Sequence, residues 1–344
     1  MTEKMRAMML SKLGPIETKP LKLVTLDRHE IKKPNEILIK IEACGVCHSQ
    51  LHAIEGDWQK YGIPPILPTV PGHELVGKIV EAGKSVTKFK IGQRAGISPL
   101  HGSCQNCIYC KEGRENLCDK MEVTGESLLG GYAEYITVSE DYATLVPNYI
   151  SAEYAAPLFC AGITAYKAVL ASSPARQKSL GIFGIGGVGH MAIQFGKVFE
   201  SRVIGISRSV NHLDVARKLG AKSVLYDSDQ GKFLSKLYNQ EGLLDSAIVL
   251  APSDSVTDTA IKSVRKGGTI VIATFGNIPS FDVTQEKTIR GTLIGSRSDM
   301  SDVVRIATEN DLKIIYKTFP LEQANQVLQK LKQSKIEARA VLTP

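Results

Sequence analysis

Ser179-Leu180-Gly181-Ile182-Phe183-Gly184-Ile185-Gly186-Gly187-Val188-Gly189-His190-Met191-Ala192-Ile193-Gln194-Phe195 is the stretch from which the fold is read. A short apolar run at 180–183 ends in Gly-x-Gly-x-x-Gly, and a helical pattern through Met191, Ile193 and Phe195 follows. Such a junction suits a dinucleotide: one glycine makes the tight turn, one lets backbone approach a pyrophosphate, and one lets the helix pack on the strand. The N–H groups at the helix start then face the phosphates. Gly184, Gly186, Gly187, Val188 and Gly189 are therefore candidate cofactor-binding residues, with a ligand-free glycine turn as the competing reading.

The residues on either side favour the first reading. From 179 onward, apolar runs at 180–183, 203–206, 223–226, 247–250 and 269–274 alternate with helix-like stretches from about 188 and at 212–219. Parallel strands need helical crossovers, so the pattern predicts an α/β, doubly wound parallel sheet of Rossmann type. At the end of its second strand, a carboxylate about 20 residues past the glycines would hold the ribose 2′-hydroxyl of NAD. The chain has Ile206-Ser207-Arg208 there instead. Ser207 carries no repelling charge and Arg208 can pair with a 2′-phosphate, so NADP(H) is expected ahead of NAD(H). A solvent-facing arginine is the plainer alternative.

Residues 1–150 read differently, as short β-rich runs such as 36–42, 76–81 and 132–138 between Gly and Pro. Past an apolar stretch at 292–295 come two helix-like stretches, 301–309 and 321–332, and a terminal apolar run, 338–342, too short for a domain of its own. The expected division is a β-rich domain of 1–161 and 299–344 around a nucleotide domain of 162–298. With 344 residues, 43% hydrophobic and 22% charged, the composition is that of a globular protein. The first ten residues lack a signal-type apolar core, so a cytoplasmic, membrane-free protein is expected. A net charge of +7 without a Lys/Arg block gives nucleic-acid binding little support.

Seven cysteines in a reducing compartment point to metal or catalysis rather than disulfides. Cys104, Cys107, Cys110 and Cys118 form C-x2-C-x2-C-x7-C, which suits a closed tetrahedral zinc site; an iron–sulfur cluster is the alternative, although the bacterial ferredoxin spacing is absent. A second set is dispersed: Cys47 within Cys44-Gly45-Val46-Cys47-His48-Ser49-Gln50-Leu51-His52, then Gly72-His73-Glu74, then Cys160 before Ala161-Gly162-Ile163-Thr164. Each of these taken alone reads equally well as a buried thiol or a satisfied histidine.

Together these motifs resemble the zinc-dependent medium-chain alcohol dehydrogenases over essentially the whole chain. Gly72-His73-Glu74 with Gly77, Gly83 and Val86 is similar to the family's zinc signature, and the four-cysteine lobe, Gly130-Gly131-Tyr132-Ala133-Glu134-Tyr135 and the glycine loop follow in the family's order. The resemblance implies a GroES-like catalytic domain split around the Rossmann domain, an active site in the cleft between them, and a homodimer or homotetramer. It implies two zinc ions per chain, the catalytic one on Cys47, His73 and Cys160, the family's own known ligand set. It further implies Glu74 at or just behind the metal, Ser49 and His52 as a proton relay, His48 near the cofactor pyrophosphate, Trp58 walling the substrate pocket and Cys44 packing. One position departs. An acidic residue usually follows the relay hydroxyl to support the zinc-bound histidine, and here it is Gln50, an amide expected to accept the imidazole N–H.

What the resemblance implies for chemistry is reversible hydride transfer between NADP(H) and a primary alcohol, with aromatic and secondary alcohols as further substrates. Zinc, as a Lewis acid, would ease loss of the alcohol proton. Polyol dehydrogenases and zinc-free quinone or enone reductases share the scaffold, and the full ligand set argues against the latter. A zinc-binding interaction module without catalysis explains neither the dispersed set nor the glycine loop.

Overall fold

The alternating runs after residue 179 build a six-stranded, wholly parallel sheet in the computed structural model, which describes residues 3–63, 65–226, 228–278 and 281–344. Across the sheet lie Lys222–Leu225, Arg202–Ser207, Ser179–Phe183, Leu244–Val249, Val264–Ile272 and Thr288–Gly291. Counted along the chain this is the order 3-2-1-4-5-6, the doubly wound arrangement, whose chain reversal opens a crevice beside the first and fourth strands. Ser179–Phe183 is buried along its whole length, as expected where helices cover both faces. Phe183, Ile206, Phe233, Leu237, Leu244, Val249 and Ile270 form the core on one side.

Two compact units make up the chain: Met1–Cys160 with Gly295–Ile306 and Ile315–Pro344, and Ala161–Ile294 with Ala307–Ile314. The parallel sheet belongs to the second. In the first, a seven-stranded sheet runs Tyr316–Pro320, Arg339–Thr343, Glu36–Gly45, Leu75–Ala82, Arg94–Ile97, Ala143–Val146, with Tyr135–Ser139 also on Glu36–Gly45. Only the first pair is parallel. The C-terminal strand is antiparallel to Glu36–Gly45, setting Val341 opposite Gly45 and Leu342 opposite Cys44. Two ribbons complete the unit, Lys4–Leu10 with Leu21–Asp27 and Leu100–Gly102 with Glu122–Val123.

Some elements differ from expectation. The strand expected at 269–274 begins at Val264, with polar residues and Gly267 at φ +68° hiding its start. The apolar stretch 292–295 lies past the edge strand Thr288–Gly291 rather than in it. Helices Ala161–Ala171, Gln230–Glu241 and Asp254–Ser263 had no separate expectation. Among the described residues, no single helix is long and apolar enough to cross a membrane.

Candidate functional site

Cys47, His73 and Cys160 converge because three turns of the β-rich unit bring them together. Cys47 caps the helix His48–Glu55 in extended conformation, just past the strand Glu36–Gly45. His73 and Glu74 lead into Leu75–Ala82 from Gly72, whose φ is +105°. A Cβ there would stand 2.6 Å from the Tyr132 ring and 3.0 Å from Cys44 Sγ, so glycine is required twice over. Cys160 follows the turn Ala156–Phe159. Cys47 Sγ and Cys160 Sγ are 3.8 Å apart, and ligand atoms of Cys47, His73, Glu74 and Cys160 all lie within 4.8 Å of one another. A tetrahedral ion bound to sulfur at about 2.3 Å spaces two sulfurs about 3.8 Å apart, whereas a disulfide needs about 2.05 Å. The residues fit a zinc ion.

The electrostatics agree. Donation from the Cys160 thiol, then the nearby His73 ring, holds the Cys47 thiol well below its ordinary value despite burial. Glu74 is fully buried, and burial pushes its carboxyl up to about 7 against the pull of Arg339. One Glu74 oxygen is hydrogen-bonded to the Arg339 guanidinium, while Oε1 is buried with no partner among the described residues. An orphaned carboxylate oxygen beside two thiols and an imidazole suits a cation. Gly45 makes the approach possible, because a Cβ there would fall 2.1 Å from Glu74 Oε2.

Gln50 does not do what was expected of it. Its Oε1 accepts the Gly72 N–H at 2.7 Å, and its Nε2 donates to Glu126 Oε1 at 3.3 Å. A backbone N–H only donates and a carboxylate only accepts, so both ends of the amide are fixed. The end facing His73 Nδ1, at 2.9 Å, is therefore Nε2. Gln50 turns its Nε2, not the expected acceptor oxygen, toward the ring.

Ser49 sits with the metal set, its Oγ 3.0 Å from Cys47 Sγ and 3.2 Å from His73 Nε2. His52, one turn further along the same helix, contacts other groups: its Nδ1 is 2.7 Å from Asp57 Oδ2, and its ring lies 5.9 Å from those of His48 and Trp58. Burial keeps the His48 ring below its ordinary pKa. Trp58, half-buried, stacks on His52 at 28°.

In the four-cysteine lobe, Cys110 Sγ is 3.5 Å from Cys107 Sγ and 4.0 Å from Cys104 Sγ, and all four sulfurs lie within 4.8 Å. Backbone N–H groups of Asn106 and Cys107 bring the Cys104 thiol down to about 6, and Cys118 Sγ accepts from the Cys104 and Lys120 amides. This too is the spacing of one tetrahedral ion. Cys44 is fully buried, its thiol donates to the Gly45 carbonyl at 3.7 Å, and burial holds it well above its ordinary pKa.

The glycine loop forms its own group in the parallel-sheet unit. Gly184, at φ +108°, turns out of the first strand against Leu250 and Ala251, which follow the fourth; its N–H bonds the Ile206 carbonyl at 2.9 Å. A Cβ on Gly189 would meet the Gly184 carbonyl at 2.0 Å, while at Gly186 it would meet nothing within 4 Å. Close packing is thus needed at Gly189, and open space lies over Gly186 where a phosphate would approach. Val188 precedes the helix Gly189–Val198. Ser207 Oγ accepts the Ser209 N–H at 3.2 Å at the end of the second strand, and Arg208 is exposed.

Three neighbours of these residues escaped the sequence. Arg339 had a signal, a lone charge inside the apolar run 338–342. Asp57 had a weaker one, as the residue after Gly56 behind His52. Glu126 had none.

The family described as "Alcohol dehydrogenase GroES-like domain" matches residues 33–148, and "Zinc-binding dehydrogenase" matches 187–309. An alcohol dehydrogenase of Geobacillus stearothermophilus is 37% identical over 94% of this chain and 96% of its own. Among solved structures, a cinnamyl alcohol dehydrogenase of Sorghum bicolor is 27% identical, with a TM-score of 0.87 over 99% of this chain and 98% of the other. A Helicobacter pylori protein named CAD, solved with NADP(H), is 25% identical with a TM-score of 0.87 over 100% and 99%.

Proposed function

The chain belongs to the zinc-dependent medium-chain alcohol dehydrogenases, and from that premise we propose that it interconverts primary alcohols, aromatic ones included, and their aldehydes with NADP(H) in preference to NAD(H). The observation that carries the reading is the convergence of Cys47, His73 and Cys160 donor atoms within 4.8 Å beside an orphaned Glu74 oxygen. A zinc ion held there would supply the Lewis acidity that lets an alcohol part with its proton near neutrality.

The remaining steps belong to the chain's own residues. Ser49 Oγ, next to Cys47 and His73, takes the substrate hydroxyl proton, and His52 passes it outward. Gly184, Gly186, Gly187, Val188 and Gly189 hold the cofactor pyrophosphate with His48 nearby, and Trp58 walls the substrate pocket. Cys104, Cys107, Cys110 and Cys118 hold a second zinc with no chemical step to perform. The catalytic domain is 1–161 with 299–344 and the coenzyme domain 162–298. A cytoplasmic location and a homodimer or homotetramer are part of the same proposal, the oligomer resting on family likeness alone.

Cofactor choice rests on Ser207 and Arg208 at the end of the second strand. The test is kcat/KM with NADPH and NADH, on aromatic and aliphatic aldehydes, for wild type, Arg208→Ala, Ser207→Asp and the double variant. Removing one charge-assisted contact should weaken NADPH by roughly 10- to 100-fold, with NADH hardly changed, and the double variant should reverse the preference. Wild-type preference for NADH, or equal losses with both cofactors in Arg208→Ala, would show that no phosphate pocket exists.

A further inference from the structure

Glu115 stands in the four-cysteine lobe, between Cys110 and Cys118, and is 4% exposed. Its Oε1 accepts twice from the Arg297 guanidinium, at 2.8 Å from Nε and 2.7 Å from Nη2. Its Oε2 is buried with no hydrogen-bond partner among the described residues. A carboxylate oxygen kept from water costs free energy until a donor reaches it. The orphaned oxygen of Glu74 belongs to a metal set, but among the described residues the side chains close enough to share an ion form only the two cysteine sets, and Glu115 is in neither. Its missing donor is of another kind. Glu115 and Arg297 line a cavity of about 390 Å³ with Lys88, Glu140, Asp141 and Tyr142, all within one compact unit. The charges on this wall do not balance, since three carboxylates are set against two cations. Both cations are already engaged: Arg297 by Glu115, with its guanidinium 5.1 Å from the centre of the Tyr142 ring, and Lys88 by Asp141. Glu140, 7% exposed, is left with two backbone N–H groups on one oxygen, from Thr87 at 2.9 Å and Lys88 at 2.7 Å. The helix Arg297–Glu309 begins at the same wall, but Ser296 and Asp299 cap that end, the Ser296 Oγ accepting the Asp299 N–H at 3.3 Å. An anion would find little free to hold it.

We propose that this cavity binds a small aliphatic ammonium ion, of the kind a linear diamine carries. An ammonium brings three N–H donors and no acceptor, which matches a wall whose unfilled position is a carboxylate oxygen. Its charge offsets the surplus carboxylate, and among nearly buried groups such pairing is screened less than on open surface. A volume near 390 Å³ is in the range of small-molecule sites. The bound amine ties Glu115, and with it the segment between Cys110 and Cys118, to Glu140 and Asp141 just ahead of the strand Ala143–Val146. No bond is made or broken, and the site uses none of the residues assigned to the alcohol chemistry.

Butane-1,4-diamine is the probe, titrated calorimetrically into the zinc-loaded protein, with butane-1,4-diol as its uncharged counterpart and sodium chloride matched for ionic strength. The expected result is one saturable site for the diamine and none for the diol, with an unfolding temperature that rises with diamine concentration, as a ligand of the folded chain requires. Glu115→Gln removes the charge and should weaken the diamine roughly 10- to 100-fold, the scale of one hydrogen bond to a charged group. Ser301→Trp, at an exposed helix position on the cavity wall, fills the space without altering a charged group and should abolish binding with the fold intact. It decides the matter if Glu115→Gln fails to fold. The absence of saturable diamine binding, equal binding of the diol, or binding that both variants keep overturns the proposal.

Discussion

A single amide illustrates how tightly the buried end of the site is specified. Gln50 touches a backbone N–H, a carboxylate and the His73 ring at once, so shortening it strands partners on three sides. Groups behind a metal ligand commonly contribute 10- to 100-fold in affinity or activity. In Gln50→Ala the zinc dissociation constant of the dispersed set should therefore rise by about that factor, while the four-cysteine set keeps its affinity. Competition against a chromophoric chelator resolves the two sites, and an unchanged affinity would mean that the His73 ring is oriented by something else.

At the scale of elements, the short ribbon Leu100–Gly102 with Glu122–Val123 carries a titrating group unconnected with catalysis. Burial brings His101 down to about 4, with Thr124 Oγ1 3.3 Å from its Nδ1. The unfolded chain takes a proton there below about pH 6.5 that the folded chain refuses, so this contribution to stability is complete above 6.5 and is lost as pH falls toward 4. Each unit of displaced pKa is worth about 1.4 kcal/mol. Urea midpoints at pH 7, 5.5 and 4.5 should fall less steeply in His101→Gln than in wild type; parallel lines would exclude the histidine. Elements of this kind also mark how far sequence reading reaches. The glycine junction and its neighbouring strands were legible because their signals are local: three glycines, an apolar run, a helical period. The helix Gln230–Glu241 was not, since Phe233 and Leu237 are its only buried residues in a polar stretch, with Leu234 partly covered beside them. The metal residues stood out through residue type and family likeness, but Arg339 lies 265 positions from Glu74, and Asp57 and Glu126 matter only through contacts that folding creates.

For the molecule as a whole, the two metal sets differ in what holds them together. Cys104 to Cys118 lie within one short segment, whereas Cys47, His73 and Cys160 span more than a hundred residues and meet only when the seven-stranded sheet has formed. Metal affinity is tied to folding wherever ligands are assembled by the fold. Rising urea should release one zinc with the loss of tertiary signal and the other only later, and elemental analysis of Cys47→Ala should find about one zinc per folded chain. Simultaneous release of both ions, or two zincs in Cys47→Ala, would contradict the assignment. The pairing of Val341 and Leu342 with Gly45 and Cys44 has a consequence during biosynthesis. Until residues 339–343 have emerged from the ribosome, Glu74 lacks the guanidinium it is buried against, so a nascent chain that already carries Cys47, His73 and Cys160 should hold its metal more weakly than the finished one.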